Sequence, residues 1–232
     1  MESGIKRNCT GRTRLRERLL PNYTKGEEIF NMVSHIVGGA VGVLVLLACV
    51  CLSALKGNIW GVVSGAIYGA SLILLYTVSS VYHGLRAPMA KKVMQVIDHC
   101  VIYFLIGGTY TPIVLCSIRA VSPVWAWVLF SLVWGLAVMA TTFTAIDLKK
   151  YAKLSMFCYI GMGWCVLMAA KVTIEALSWS GVSWLLSGGV AYTVGAVLYG
   201  LGKRHRYMHS LFHLFVLAGS ILQAVCIVFY VL

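Results

Sequence analysis

The sequence has few charged residues, and acidic ones are especially scarce. Only 11% of its 232 residues are charged, and seven of these are Asp or Glu. A soluble domain carries about 25% charged residues, whereas this chain is 60% hydrophobic. It has eight cysteines, but no CxxC pair. These absences argue against a soluble domain, a disulfide scaffold and a thiolate metal site.

Long apolar stretches fill most of the chain instead. A spanning helix needs about 20 mostly apolar residues to cross about 30 Å of hydrocarbon. Seven stretches meet this criterion, at about 31–54, 60–83, 95–116, 124–145, 152–171, 181–201 and 209–231. We therefore predict an all-α polytopic membrane protein with a seven-transmembrane-helix bundle over residues 26–232. A flexible basic cytoplasmic tail is expected over residues 1–25.

The basic residues predict how this bundle lies in the membrane. Of the 19 Lys and Arg residues, all but Lys56, Arg119 and Lys171 fall in the tail or in the second, fourth and sixth loops. Basic residues in short loops stay cytoplasmic, so we expect a cytoplasmic N-terminus and an extracytoplasmic C-terminus. The same rule explains the net charge of +12 without a nucleic-acid partner. The sequence leaves the oligomeric state open.

Polar residues within the apolar stretches share one depth. Ionisable groups inside a membrane are costly and are functional candidates. With the predicted topology, each lies about one or two turns from the cytoplasmic side. They are His35, Ser79, His83, Asp98, His99, His209 and His213.

The chemistry that fits this group is a zinc site. His209 and His213 lie four residues apart and share a helix face, and His83 would be the third ligand. Three protein ligands with a water in the fourth position are typical of catalytic zinc, which lowers the pKa of that water to about 7. Asp98 can bind the metal directly, or hold and deprotonate the water. Ser79, one turn from His83, can hydrogen-bond to the water or to a substrate oxygen.

Each feature alone has a simpler explanation. An HxxxH pair can be two hydrogen-bonded helix-end histidines, Ser79 can bond to a carbonyl of its own helix, and Asp98 can favour a helix N-terminus. Their common depth favours the metal site. His99 points about 100° away from Asp98, so we expect it to contact the ligands from behind or to lie at the membrane interface. His35 is expected to line the site.

Four segments resemble signature sequences of the hemolysin III family, and the likeness extends from Gly26 to the C-terminus. They are EEIFNMVSHIVGG, SSVYHG, DHCVIYFLIGGTYTP and HSLFHLFVLAGSILQ. This family is the bacterial branch of the progestin and adipoQ receptor group, and it is more distantly similar to alkaline ceramidases. The resemblance implies a bacterial plasma membrane and a seven-helix bundle with zinc near the cytoplasmic face.

The resemblance also implies roles for individual residues. His83, His209 and His213 match the family's zinc histidines, and Asp98 and Ser79 match its aspartate and serine. Glu27, Glu28, Asn31 and His35 match the family's first-helix segment, and of these Glu28, Asn31 and His35 are candidates for the surroundings of the metal.

Two classes of function remain open. The first is a zinc-dependent hydrolase of a lipid amide or ester in membrane-lipid homeostasis, with Asp98 as base and Ser79 positioning. Membrane lipids would then be both the surroundings and the substrate. The second is a non-enzymatic sensor or receptor-like protein, or a pore-forming cytolysin, with structural zinc. Polar residues at only one end of the helices argue against an intrinsic channel.

Overall fold

The computed structural model describes residues 13–202 and 205–232, in which helices are joined by short turns and no strand occurs. The main helices are α1 (Lys25–Leu55), α2 (Ile59–Gly84), α3 (Pro88–Pro112), α4 (Arg119–Val121), α5 (Pro123–Ile146), α6 (Ala152–Trp164), α7 (Ala170–Leu201) and α8 (Met208–Cys226). The most extensive contacts join α1 to α2, α7 to α8, and α2 to α3.

Two helices begin earlier than their apolar stretches predict. The Thr24 hydroxyl accepts a hydrogen bond from the Glu27 backbone, and the Glu27 carboxylate accepts one from the Thr24 backbone, so a capping box starts α1 at Lys25. Pro88 stands in the first turn of α3, where its missing N–H is no loss. Both helices therefore extend beyond the apolar run into polar surroundings.

Glycines let α1 and α2 pack closely. A Cβ added at Gly69 would lie 2.6 Å from the Cα of Leu46, and one at Gly65 would lie 2.7 Å from the Cβ of Cys49. Gly38 faces the ring of Tyr76 in the same way. Small residues at helical spacing are typical of close helix contacts in membranes. This close pair fixes where the beginning of α1 meets the end of α2.

Six helical segments among the described residues are long and apolar enough to cross a membrane. They are Lys25–Leu55, Ile59–Gly84, Pro88–Val121, Pro123–Ile146, Ala152–Leu201 and Met208–Val231. The third includes a π-helix at Ile113–Ile118, directly after Pro112. A proline removes one helical hydrogen bond, so a loosened turn is expected beside it.

The fifth segment folds back on itself. Its 50 residues would extend about 75 Å as a straight helix. Ser178 interrupts it with φ 57° and ψ 169°. The Trp164 indole N–H donates to the Thr193 hydroxyl at 3.1 Å, although 29 residues separate them. In a straight helix these residues would be about 44 Å apart. The segment is therefore a hairpin with arms at 152–177 and 179–201.

These helices meet at a common end of the bundle, which we call the histidine end. There α1, α3 and α8 begin and α2 finishes, as contacts of Glu28, His83, Lys91 and His209 show. Residues 1–12 of the predicted flexible tail lie outside the described residues. Residues 13–24 run across the histidine end, with a short 3-10 helix at Leu15–Glu17.

Candidate metal centre

Three histidines from two helices converge at the histidine end. His83 stands in the last turn of α2, and His209 and His213 stand one turn apart in α8. One ring nitrogen from each lies within 4.8 Å of the others. The Nε2 atoms of His209 and His213 are 2.9 Å apart. This group of three imidazoles could hold a metal ion.

The orientation of His83 leaves one ring nitrogen available. Its Nδ1 lies 2.6 Å from the Glu28 carboxylate, which can only accept a hydrogen bond, so Nδ1 carries the proton. In the neutral ring the lone pair is then on Nε2, which is buried and finds no hydrogen-bond partner among the described residues. A carboxylate on one imidazole nitrogen is the usual arrangement when the other nitrogen binds a metal.

His35 lies beside this group, in contact with His213. Its Nε2 faces the Nδ1 of His213, and the ring centroids are 3.9 Å apart. Asn31, one turn earlier in α1, is fully buried, and its side-chain amide has no partner among the described residues. His35 thus packs against a candidate ligand, while no hydrogen bond joins the Asn31 side chain to the histidines among the described residues.

Asp98 and Ser79 lie on the wall of a cavity that reaches the histidines. The cavity has a volume of about 150 Å³, and His209 and His213 line it as well. Ser79 lies close enough to Asp98 for its hydroxyl to hydrogen-bond to the carboxyl. The remaining wall is largely apolar and is formed by residues such as Ile102, Ile106, Phe212 and Val216.

His99 also lines the cavity, but its ring nitrogens are engaged elsewhere. Nδ1 lies 2.8 Å from the Gln95 carbonyl oxygen, and Nε2 lies 3.2 Å from the Tyr199 hydroxyl. The ring therefore ties α3 to α7 and does not join the three-histidine group.

The segment over residues 13–24, here called the strap, covers the histidines. The Tyr23 ring stacks on His209 with centroids 4.8 Å apart and an interplanar angle of 19°. The Thr13 backbone N–H donates to the Asp147 carboxylate at 2.7 Å, and the Arg18 guanidinium lies 3.7 Å from the same carboxylate. The Lys92 ammonium donates to the Arg16 carbonyl at 2.6 Å. The strap is thus fastened at several points.

Asp147 is buried between α5 and α6, outside the apolar segments. Burial alone would raise the pKa of its carboxyl. Hydrogen bonds from the backbone N–H groups of Thr13 and Lys150, together with the nearby Arg18 guanidinium, outweigh burial and lower this pKa below its ordinary value. The carboxylate is therefore the charged anchor of the strap.

Sequence reasoning missed Tyr23, Lys91 and Asp147. Tyr23 and Asp147 lie outside the apolar stretches, and Lys91 was counted only as a loop charge. A search for ionisable residues inside the stretches cannot detect them. Thr24 and Glu27, three residues apart, are a capping signal that would have placed the strap next to a helix start.

Comparison with known proteins supplies the relationship. The family model for haemolysin-III related proteins matches residues 23–224. Hemolysin-3 of Bacillus cereus is 37% identical over 206 residues, covering 89% of this chain and 92% of its own length. The hemolysin-3 homolog of Bacillus subtilis (strain 168) is 35% identical over 208 residues, which cover 90% of this chain and 96% of that protein. Human monocyte to macrophage differentiation factor is 27% identical over 198 residues, which cover 82% of this chain and 76% of that protein.

Apolar helical segments around a buried histidine cluster define a multi-pass protein of the cell membrane. Because the family model covers most of the chain, the protein belongs to the haemolysin-III related family. The resemblance seen in the four sequence segments is confirmed, including the link to progestin and adipoQ receptor relatives.

Proposed function

We propose that this protein is a zinc-dependent hydrolase of lipid amides or esters that serves membrane-lipid homeostasis. One observation carries the proposal. Asp98 and Ser79 open onto the same apolar cavity as His209 and His213. A proton acceptor, a hydroxyl and a candidate metal group at the end of one apolar cavity suit the cleavage of a polar bond in a lipid.

The residues present fit a zinc ion. Zinc takes imidazole nitrogens, and three protein ligands with an open position are typical of catalytic sites. The Nε2 of His83 is buried and has no hydrogen-bond partner within residues 13–202 and 205–232, so it is the kind of atom that such an ion would satisfy. Zinc held by His83, His209 and His213 would supply Lewis acidity at the end of the cavity.

The cavity suits an acyl chain. It extends along α8 from His209 to Gln223, a rise of about 21 Å over fourteen residues. This exceeds one leaflet's share of the roughly 30 Å hydrocarbon core. Apolar walls would hold the chain, so that the amide or ester group lies beside Asp98. Asp98 would accept a proton from the attacking water, and Ser79 would orient this carboxylate or a substrate oxygen.

The topology proposed with this function has seven membrane crossings. Each arm of the hairpin at 152–201 is longer than about 20 residues, enough for one crossing. With two crossings in the hairpin, the basic tail and the basic second, fourth and sixth loops all lie on the same side of the membrane. Because Lys and Arg concentrate there, this side would be the cytoplasm. The histidine end would then face the cytoplasm.

A pore-forming or sensor role with structural zinc is the second candidate. The two Bacillus relatives carry the name hemolysin-3, which favours cytolysis. A conducting path needs a polar wall, whereas the wall of this cavity is largely apolar. This argues for a site that receives lipid and against an aqueous channel.

The Asp98→Asn variant separates the two candidates. It preserves size while removing the proton acceptor, so we expect zinc to stay bound and hydrolysis to fall by about 10²-fold or more. Ser79→Ala should lose less, since a neutral hydrogen bond contributes about 0.5–1.5 kcal/mol. The assay is hydrolysis of fluorogenic lipid amides and esters by purified protein, with zinc content and membrane-lipid profiles measured in parallel.

His205→Ala is the control, because His205 is exposed and lies outside the histidine group. If Asp98→Asn and wild-type protein give the same lipid profile and the same zinc content, the hydrolase proposal is wrong, and the sensor or cytolysin role is favoured.

A further inference from the structure

Lys91 is a buried cation next to the candidate metal centre. It stands in the first turn of α3 with only 9% of its surface exposed. A lysine is unfavourable there for the helix itself, because the helix dipole places partial positive charge at the N-terminus. Burial of its long side chain also costs rotamer freedom. The placement therefore needs a reason beyond helix stability.

The contacts of its ammonium group give that reason. The Lys91 Nζ lies 2.8 Å from the Glu28 Oε1, 3.3 Å from the His83 carbonyl oxygen and 3.2 Å from the Leu85 carbonyl oxygen. An ammonium group has three N–H donors, and here each has one acceptor. One side chain thus joins the beginnings of α1 and α3 to the end of α2.

Both links lead to His83. The other carboxylate oxygen of Glu28 lies 2.6 Å from the His83 Nδ1, so Lys91 and His83 hold the two ends of one carboxylate. The bond to the His83 carbonyl fixes the backbone that carries the same ring. Carbonyl groups in the last turn of a helix have no helical donor, so the ammonium also satisfies the end of α2.

We propose that Lys91 is a positioning residue for the metal centre. It holds the Glu28 carboxylate against the Nδ1–H of His83, so that the Nε2 lone pair stays directed at the ion. Without this cation, the carboxylate would keep a single partner and could turn towards solvent, since 21% of its side chain is exposed. The inference rests on the proposed metal site, and it does not depend on lipid hydrolysis.

The neighbouring lysine is a matched control. Lys92 has the same charge and lies in the same helical turn, but its Nζ bonds to the Arg16 carbonyl in an exposed position. It contacts neither Glu28 nor any histidine in the part of the chain that the structure describes. A general effect of charge at the start of α3 would appear in both lysines, whereas a positioning role appears only in Lys91.

The experiment measures zinc affinity of the purified full chain by competition with a chelator of known affinity. Loss of a partner that orients a metal ligand weakens binding by about 10- to 100-fold, which is expected for Lys91→Met. Lys92→Met should bind zinc within about twofold of wild type. Because Lys91 acts largely through Glu28, adding Lys91→Met to Glu28→Gln should lose less than the product of the two single losses.

Thermal unfolding of the zinc-free proteins separates positioning from structural support. A structural role alone would lower the melting temperature of Lys91→Met and leave its zinc affinity unchanged, which would overturn the proposal. Equal losses in Lys91→Met and Lys92→Met would also overturn it. If Lys91→Met does not fold, the Lys91→Arg variant tests the proposal instead. It keeps the charge and should bind zinc within about threefold of the wild-type affinity. A loss of zinc affinity as large as that of Glu28→Gln would contradict the positioning role.

The wild-type protein distinguishes the two levels of inference. Failure of the wild type to bind zinc would overturn the metal centre together with this role. Zinc binding without lipid hydrolysis would overturn the enzyme proposal and leave the role of Lys91 intact.

Discussion

His213 meets another imidazole at each of its ring nitrogens. Nδ1 faces His35, and Nε2 lies 2.9 Å from the Nε2 of His209. A neutral imidazole donates through one nitrogen and accepts through the other. If the Nδ1–H of His213 donates to His35, the lone pair of its Nε2 faces the Nε2 of His209. Either a proton on the His209 Nε2 or a cation between the two rings must then lie between these nitrogens. Proton placement and metal binding are therefore linked in this row of rings.

This arrangement makes the α8 histidines decisive for metal binding. His209→Ala or His213→Ala should abolish stoichiometric zinc, because each removes one of the three candidate ligands. His205→Ala, on the exposed turn before α8, should retain one zinc per chain. Metal analysis of the purified proteins checks this. One zinc per chain in the double variant His209→Ala, His213→Ala would show that the ligands lie elsewhere.

Among the elements, the strap is held partly by one buried carboxylate. Asp147 accepts from the Thr13 backbone and lies near the Arg18 guanidinium, 134 and 129 residues away in the sequence. Its lowered pKa means that the folded state favours the ionised form. The stabilisation is therefore complete above the unfolded pKa of about 3.9 and is lost as the pH falls through the lower folded value.

Asp147→Asn should release the strap at neutral pH. The variant removes the charge from bonds that contribute about 1.5–3 kcal/mol when charged, so exchange of the amides at residues 13–18 should accelerate by about tenfold. Hydrogen–deuterium exchange at pH 7 measures this. Glu175→Gln, at the far end of the bundle near Ser178, is the control and should exchange as wild type does. Unchanged exchange in Asp147→Asn would mean that other contacts hold the strap.

At the scale of the whole molecule, the basic residues predict the sidedness of the bundle. A reporter fused after Leu232 should be extracytoplasmic, whereas one inserted in the loop at 149–153 should be cytoplasmic. In the proposed topology the hairpin at 152–201 makes two crossings and each of the other five apolar segments makes one. Alkaline phosphatase and green fluorescent protein fusions report the two sides. If both positions lie on the same side, seven crossings are wrong.

Local patterns predict the apolar helices and the candidate ligands, but not the contacts around them. The four-residue spacing of His209 and His213 is visible in sequence because both lie on one helix. The bond from Lys91 to Glu28 is not, since it joins two helices and depends on how α1 and α3 meet. The start of α1 at Lys25 was also missed, because a capping box extends the helix beyond its apolar run.

The candidate metal centre draws on both ends of the chain. Its contacts join Tyr23 and His35, near the N-terminus, to His209 and His213 in the last helix. A ribosome makes these pieces in order, and two of the three candidate ligands, His209 and His213, follow every helix from α1 to α7. A chain arrested before α8 can insert its earlier helices but has only His83 of the three. The three-histidine group can therefore form only after α8 has been made, because the earlier helices supply a single member of it.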